Sequence, residues 1–256
     1  MDRKMFQKKF TGLDEYLLSS ICDDIELCEN IDYPVYTKYF MPPILSYSLK
    51  DLRIGNIKFK LCGISKNCEK NMIAIYPEEF EDIIDFPVKY FRIENKSKFK
   101  DLQHKDYLGS IMNLGKRREI LGDLIVEGKF CYGITTEENF EFLKGNLSLV
   151  GRNPVEIEEV RSSEIPESKF EEIVVTVPSL RVDSLVAEIV GTSRAKAVTM
   201  IENQDVNLNY SIETNRSKIL KLEDTITIRK KGKFIVLDVL GETKKGKIRI
   251  ALKKFI

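Results

Sequence analysis

Tryptophan is absent from the 256 residues, and histidine occurs once, at position 104. One histidine excludes mechanisms that need two, such as a His-rich zinc site or a phosphorelay pair, and leaves His104 as the only imidazole for a Ser-His-Asp triad. Without tryptophan, any stacking on nucleobases must come from Tyr or Phe. Long apolar runs are missing too. The longest, such as 72–76 and 234–237, are strand-sized, far short of the ~18–20 residues of a membrane helix. The basic start, residues 1–16, leads into no continuous apolar segment, so no secretory signal is expected. Five cysteines, an odd number, fit reduced thiols better than a disulfide framework. A cytoplasmic protein without a membrane partner is expected. What is present is an ordinary globular composition, 43% hydrophobic and 32% charged, in a length suited to two domains or three small ones.

The formal net charge of +1 hides a block structure. Residues 1–86 carry −4, residues 87–129 carry +4, residues 130–172 carry −6 and residues 173–256 carry +7. Asymmetry of this kind suggests that the basic segments meet a polyanion, although solvated faces without a partner would look the same.

Along the chain, residues 1–31 repeat apolar side chains at helical spacing, among them Leu13, Tyr16, Leu17, Ile21 and Ile25. Pro34, Pro42 and Pro43 interrupt the pattern, and 57–62 and 71–76 read as a pair of strands, making 1–86 a mixed α/β unit that ends near a turn at 85–87. Residues 87–164 then show a strand at 88–94, a helix at 104–114, a hairpin of 123–126 with 130–135, a helix at 136–147 capped by Thr136, and a strand at 155–160. This β-α-β-β-α-β order is that of a ferredoxin-like domain, the architecture of RRM-type RNA binders and of many unrelated proteins. The polar, acidic residues 161–172 read as a linker or a connecting edge.

The C-terminal unit, 173–256, opens with a strand at 173–177. Ser179 is placed to cap a helix at 180–190 that ends at Gly191, and Thr192 or Ser193 to cap a second helix at 194–202. Strands are expected around Val206, Leu208 and Tyr210, around Ile226 and Ile228, at 235–239 and at 247–252, so that two helices lie on a small sheet. The positive charge sits at chosen places. Arg181 opens one helix, Arg194 and Lys196 lie in the first turn of the next, and with Ser193 and the helix N-terminal amides they suit phosphate. Arg229, Lys230, Lys231 and Lys233 follow on a strand and its turn. Contact with ~6 phosphates would give log affinity a slope of about −4 to −5 against log salt.

Arg181, Val182, Asp183 and Leu185, then Thr192, Ser193, Arg194, Lys196 and Ala197, then Val206, Leu208 and Asn209, and finally Asp224, Ile226, Ile228 and Arg229 follow one another in an order and spacing that resembles the S-four domain. That module is a small RNA binder named after a protein of the small ribosomal subunit, and the likeness covers roughly residues 178–233. The chain departs from it at Gln204 and Glu223, where the pattern has Gly, and at Asp205, where it has a basic residue. Upstream, the run from His104 to Ser110, then Leu114 to Glu119, and Gly122 with Asp123, resembles the central domain of the bacterial YlmH family. Members of that family join an N-terminal α/β domain, an RRM-like domain and a C-terminal S-four domain. The resemblance implies an α+β protein of three small domains, at 1–86, 87–164 and 173–256. It further implies binding of ribosomal and transfer RNA on the large ribosomal subunit, in quality control of stalled peptidyl-tRNA.

Other features admit two readings. Lys116, Arg117 and Arg118 between Gly115 and Gly122 are either a second RNA contact or a solvated basic turn. Phe130 and Tyr132, with Tyr90 and Arg92 from a neighbouring strand, are either a base-stacking platform or plain sheet packing. Cys22 with Cys28 and Cys62 with Cys68 are spaced too widely for a structural zinc pair and read as free thiols. No G-x-G turn, no P-loop and no Thr-Ser-Gly after the Arg-x-Asp element appear. The chain is therefore read as a non-catalytic, monomeric RNA binder without cofactor, metal or small-molecule substrate. The alternatives are an RNA-modifying enzyme and an adaptor linked to cell division.

Overall fold

A computed structural model describes all residues except 1, 2, 4, 5, 7–9, 11, 12, 50, 51, 53, 67, 98–100, 168 and 256. Most of the helical stretch expected over 1–12 lies outside the described residues. The chain is α+β and divides into two compact units, Met1–Glu167 and Ser168–Ile256. No helix among the described residues is long and apolar enough to cross a membrane.

The first unit begins with α1 (Glu15–Ile31), whose N-cap Asp14 accepts the Tyr16 amide and whose buried face is Leu17, Leu18, Ile21, Cys22, Ile25 and Cys28. After β1 (Val35–Tyr36) and α2 (Pro43–Leu49), β2 (Ile57–Cys62) and β3 (Met72–Pro77) complete a three-stranded sheet of order β1-β3-β2. Every residue of β3 is buried, as the central strand of a sheet covered on both faces must be. A second sheet follows from β4 (Val88–Asn95), α3 (His104–Met112), β5 (Ile125–Glu127), β6 (Phe130–Thr136), α4 (Glu137–Asn146), β7 (Leu149–Val150) and β8 (Asn153–Val160). Its order is β5-β6-β4-β8-β7, all neighbours antiparallel, so the first and second strands of the β-α-β-β-α-β series flank the third. Thr136 caps α4 by accepting the Asn139 amide.

The two sheets of this unit share their interior. Phe91, Ile93, Cys131 and Ile157 of the second sheet, Tyr107, Phe140 and Leu143 of its helices, and Ile21, Ile25, Leu45 and Ile73 from the first part belong to one buried cluster. The other face of the second sheet is covered as well. Tyr132 and Ile134 pack with Phe40, Ile64 and Met72 from the first 80 residues, and Tyr90, Phe130 and Phe86 lean on that cluster. Tyr132 keeps only 8% of its surface exposed, while the Tyr90 hydroxyl reaches the Gly63 carbonyl at 3.5 Å. A platform of Tyr90, Phe130 and Tyr132 for bases is therefore not available. The chain has laid its own apolar side chains where a base would stack.

The second unit contains β9 (Phe170–Val177), α5 (Val182–Val190), α6 (Arg194–Glu202), β10 (Val206–Leu208), β11 (Ser211–Ile212), β12 (Thr225–Ile228), β13 (Gly232–Glu242) and β14 (Ile248–Phe255). They form one antiparallel sheet of order β11-β10-β12-β13-β14-β9. Val182, Leu185 and Val186 of α5 and Ala197 and Ile201 of α6 pack on Val206, Ile226, Phe234 and Ile250 of the sheet. Two expectations change here and a third is narrowed. Of the two readings of the polar stretch, linker or connecting edge, its last residues take the second: they open the edge strand β9, which pairs with the whole of β14. Ser179 does not cap α5; its hydroxyl meets that of Ser184 at 3.1 Å, and Arg181 takes the cap position. Tyr210 is not strand but the second residue of a two-residue turn, with Asn209 at φ 50° and Tyr210 at φ 66°, the handedness that joins β10 to β11.

Candidate nucleic-acid interface

In the second unit, α5 ends at Gly191, whose φ of 70° returns its amide to the Ala187 and Glu188 carbonyls. Two residues later Ser193 caps α6, its hydroxyl accepting the Lys196 amide at 3.3 Å. This short link sets the first turn of α6 beside that of α5, and one carboxylate joins them. Asp183, 1% exposed, accepts from Arg181 Nε at 3.1 Å and Nη2 at 2.9 Å, and from Arg194 Nε at 3.0 Å and Nη2 at 3.2 Å. Burial pushes the Asp183 carboxyl up, but the hydrogen bonds from the two guanidiniums outweigh it and hold the pKa below its ordinary value. Two cations on one anion leave a net positive charge. Each guanidinium spends two of its five donors on Asp183, and the side chains of Arg181 and Arg194 remain 30% and 50% exposed. Lys196 is exposed and forms no ion pair among the described residues.

The two helix starts are not equivalent. The Val182 and Asp183 amides of α5 donate to the carbonyls of Lys218 and Arg216, at 2.9 and 3.2 Å. The exposed first turn of α6, with Ser193, Arg194 and Lys196, is the helix end open to an anion.

The remaining basic residues expected in this unit fall into different settings. Arg229 is 74% exposed and pairs with Asp205 at 3.2 Å, so the acid that stands where the S-four pattern has a base offsets this cation. Lys230 and Lys231 are exposed in the turn before β13. Lys233 is half-buried, over the Phe255 ring at 4.4 Å and the Tyr210 ring at 5.9 Å. Asn209 belongs to the frame. Its side-chain amide donates to buried Asp224 at 2.8 Å and accepts from the Thr225 amide at 2.9 Å, and so holds the β10–β11 turn against β12.

In the first unit the run Lys116, Arg117, Arg118 is split by the 3-10 turn Arg118–Ile120. Lys116 lies over the Phe142 ring at 4.5 Å and Arg117 over the Tyr16 ring at 4.6 Å. Both line a cleft of 220 Å³ with Lys38, Tyr39 and Glu138. The turn at its rim begins with Gly115 at φ 81°, and the Phe40 amide donates to the Glu119 carbonyl at 2.8 Å to fix the two walls together. Arg118 faces elsewhere. Burial first, and then the nearby Arg118 charge, lower the pKa values of both His104 and Lys70.

The cysteines show no metal-binding geometry: no group of His, Cys, Asp and Glu among the described residues could hold an ion. Burial pushes the Cys28 and Cys68 thiols up to about 11.

Sequence reasoning did not single out Asp183 as the group that positions Arg181 and Arg194, although it stood in the quoted Arg-Val-Asp element. Lys38 and Tyr39 carried no local signal; only the fold brings them to the Lys116–Arg117 turn.

Comparison with known proteins agrees with the YlmH likeness. Residues 79–164 match the family described as "Putative RNA-binding domain in YlmH". The "Ribosome-associated protein quality control protein P2" of Bacillus subtilis (strain 168) is 28% identical over 203 residues, which cover 78% of this chain and 79% of that protein. The solved structure of the "Cell division protein ylmH from Streptococcus pneumoniae" is 25% identical with a TM-score of 0.51, and the match covers 62% of this chain and 97% of that one.

Proposed function

For a chain of the YlmH family, as these three comparisons agree in making it, we propose a non-catalytic RNA-binding protein that works on the ribosome. Its second unit is an S-four domain that grips structured RNA, ribosomal or transfer, through the first turns of α5 and α6. Its place is the large ribosomal subunit carrying a stalled peptidyl-tRNA. The name of the Bacillus relative supports the setting, and the family matched by residues 79–164 supports the ligand.

One observation carries the mechanism: a single buried carboxylate, Asp183, orients Arg181 and Arg194 side by side. A guanidinium held in place loses little further rotamer freedom on meeting a phosphate, and its unused donors form charge-assisted bonds to the phosphate oxygens. Lys196 and the α6 amides add field without a fixed geometry. Such a device reads backbone, not bases, and so suits the regular phosphates of folded RNA.

Arg194→Glu with Lys196→Glu tests this. Both residues are exposed, but Arg194 also pairs with buried Asp183, so circular dichroism and the melting curve must first show the variant folded; co-sedimentation of the folded variant with ribosomes at physiological salt should be abolished. Undiminished co-sedimentation would refute the assignment.

A further inference from the structure

In the first unit many cations are neutralised by carboxylates. Lys58 pairs with Glu78 and Glu81, Lys89 with Glu159, Arg92 with Glu158, and Lys96 with Glu94 and Glu156. Lys38, Lys116 and Arg117 differ: none forms an ion pair among the described residues, and each lies over a ring instead. These three converge on one 220 Å³ cleft whose lining includes a single carboxylate, Glu138.

From this arrangement we infer that the cleft is a second binding site, for one phosphate-bearing nucleotide of a single-stranded RNA segment. The inference rests on RNA being the ligand of this protein but not on the α5–α6 site.

Three like charges gathered in a concavity repel one another, and their mutual energy falls when an anion enters. The cleft is smaller than the ~300 Å³ at which pockets for drug-sized ligands begin and several times the ~30 Å³ of a water. A phosphate with part of its sugar or base fits that volume; a duplex does not. Arg117 gives the base a surface. Its guanidinium lies over the Tyr16 ring, Cζ 4.6 Å from the centroid, and arginine guanidiniums and aromatic rings are groups on which unpaired bases stack. The covered sheet adds a reason of its own: with Tyr132 and Ile134 buried under Phe40 and Met72, the RRM-like part must meet RNA elsewhere. The cleft is a concave cationic place at the edge of that part.

The test uses the full chain carrying ¹³C-labelled tyrosine rings, with Tyr39 and Tyr16 assigned from Tyr→Phe variants. It is titrated separately with inorganic phosphate, uridine monophosphate and a ten-nucleotide single-stranded RNA. The RNA should move both ring signals, uridine monophosphate should move them more weakly, and phosphate least. Lys38→Glu, at an exposed position, should weaken RNA binding at the cleft about tenfold in low salt, and Arg117→Lys should lower affinity for uridine monophosphate while keeping the response to phosphate. The same titration in the Arg194→Glu, Lys196→Glu background should be unchanged, which separates this site from the proposed α5–α6 interface. Static ring signals at millimolar RNA would overturn the inference. So would a response to phosphate as strong as that to RNA, which would leave an anion site with no nucleotide preference.

Discussion

Replacing Asp183 by Asn removes the charge that joins α5 and α6 while keeping the side chain's shape. The carboxylate receives four hydrogen bonds at 2.9–3.2 Å from two guanidiniums and is 1% exposed. Breaking a buried pair costs about 3–5 kcal/mol. Here the guanidiniums are 30% and 50% exposed and regain water, which lowers the cost to about 2–4 kcal/mol. The Asn amide group also points N–H donors at N–H donors. Hydrogen exchange of peptides covering Val182–Val190 and Arg194–Glu202 in the full chain reads this loss locally, as exchange roughly 30- to 900-fold faster. Melting of the unit, about 89 residues from Ser168 to Ile256, should fall by about 10–20 °C. The pH dependence gives an internal control. Because the folded pKa of Asp183 is lowered, its contribution is complete above the unfolded value of ~3.9 and fades as pH falls through the folded value. The wild-type and Asn curves should therefore converge in strong acid. Exchange accelerated less than threefold at neutral pH would show that Asp183 does not organise the two helices.

Four further substitutions are informative. Asp24, whose Oδ2 has no hydrogen-bond partner among the described residues, has its pKa raised to about 6, first by burial and then by Asp23; the cost to stability grows from the unfolded value of ~3.9 and is complete above about 6, so Asp24→Asn should add about 1–2 kcal/mol at pH 7 and little at pH 4, by urea titration at both pH values. Gln204 and Glu223 hold φ of 62° and 66°. Relief of the left-handed strain, less the entropy that glycine adds to the unfolded chain, predicts that Gln204→Gly and Glu223→Gly each stabilise by about 0.5–1 kcal/mol in thermal melts. At Gly133 an added Cβ would lie 2.3 Å from Phe91 Cζ, and Phe91 is fully buried; Gly133→Ala should cost the first unit about 2–3 kcal/mol, measured by urea unfolding.

The legibility of the sequence varied with the range of the forces involved. Local signals were read well. Helix α6 occupies the expected 194–202, with Ser193 as its cap, because capping and spacing act within one turn. Gly191 ended α5 as its φ preference requires. Where a residue had to override its preference, the reading slipped. Tyr210 takes positive φ without being glycine because β10 and β11 on either side dictate the turn; Gln204, after α6, and Glu223, before β12, do so at the two positions where the S-four pattern has Gly. Burial at long range was the least visible. Tyr90, Phe130 and Tyr132 have the alternation of an open aromatic face, and what closes it comes from Phe40, Ile64 and Met72, far back in the chain. The cleft escaped notice for the same reason. Lys38 and Arg117 are distant in sequence and meet only after folding.

The lid of apolar side chains over the second sheet bears on how the protein can be dissected. A fragment cut to the 79–164 boundaries of the family match would lose Phe40, Ile64 and Met72 and present Tyr132, Ile134 and Phe130 to solvent. Aromatic rings uncovered in this way would adhere to nucleic acid and to one another. Affinity measured on such a fragment would report a surface manufactured by truncation, one that the uncut polypeptide never displays.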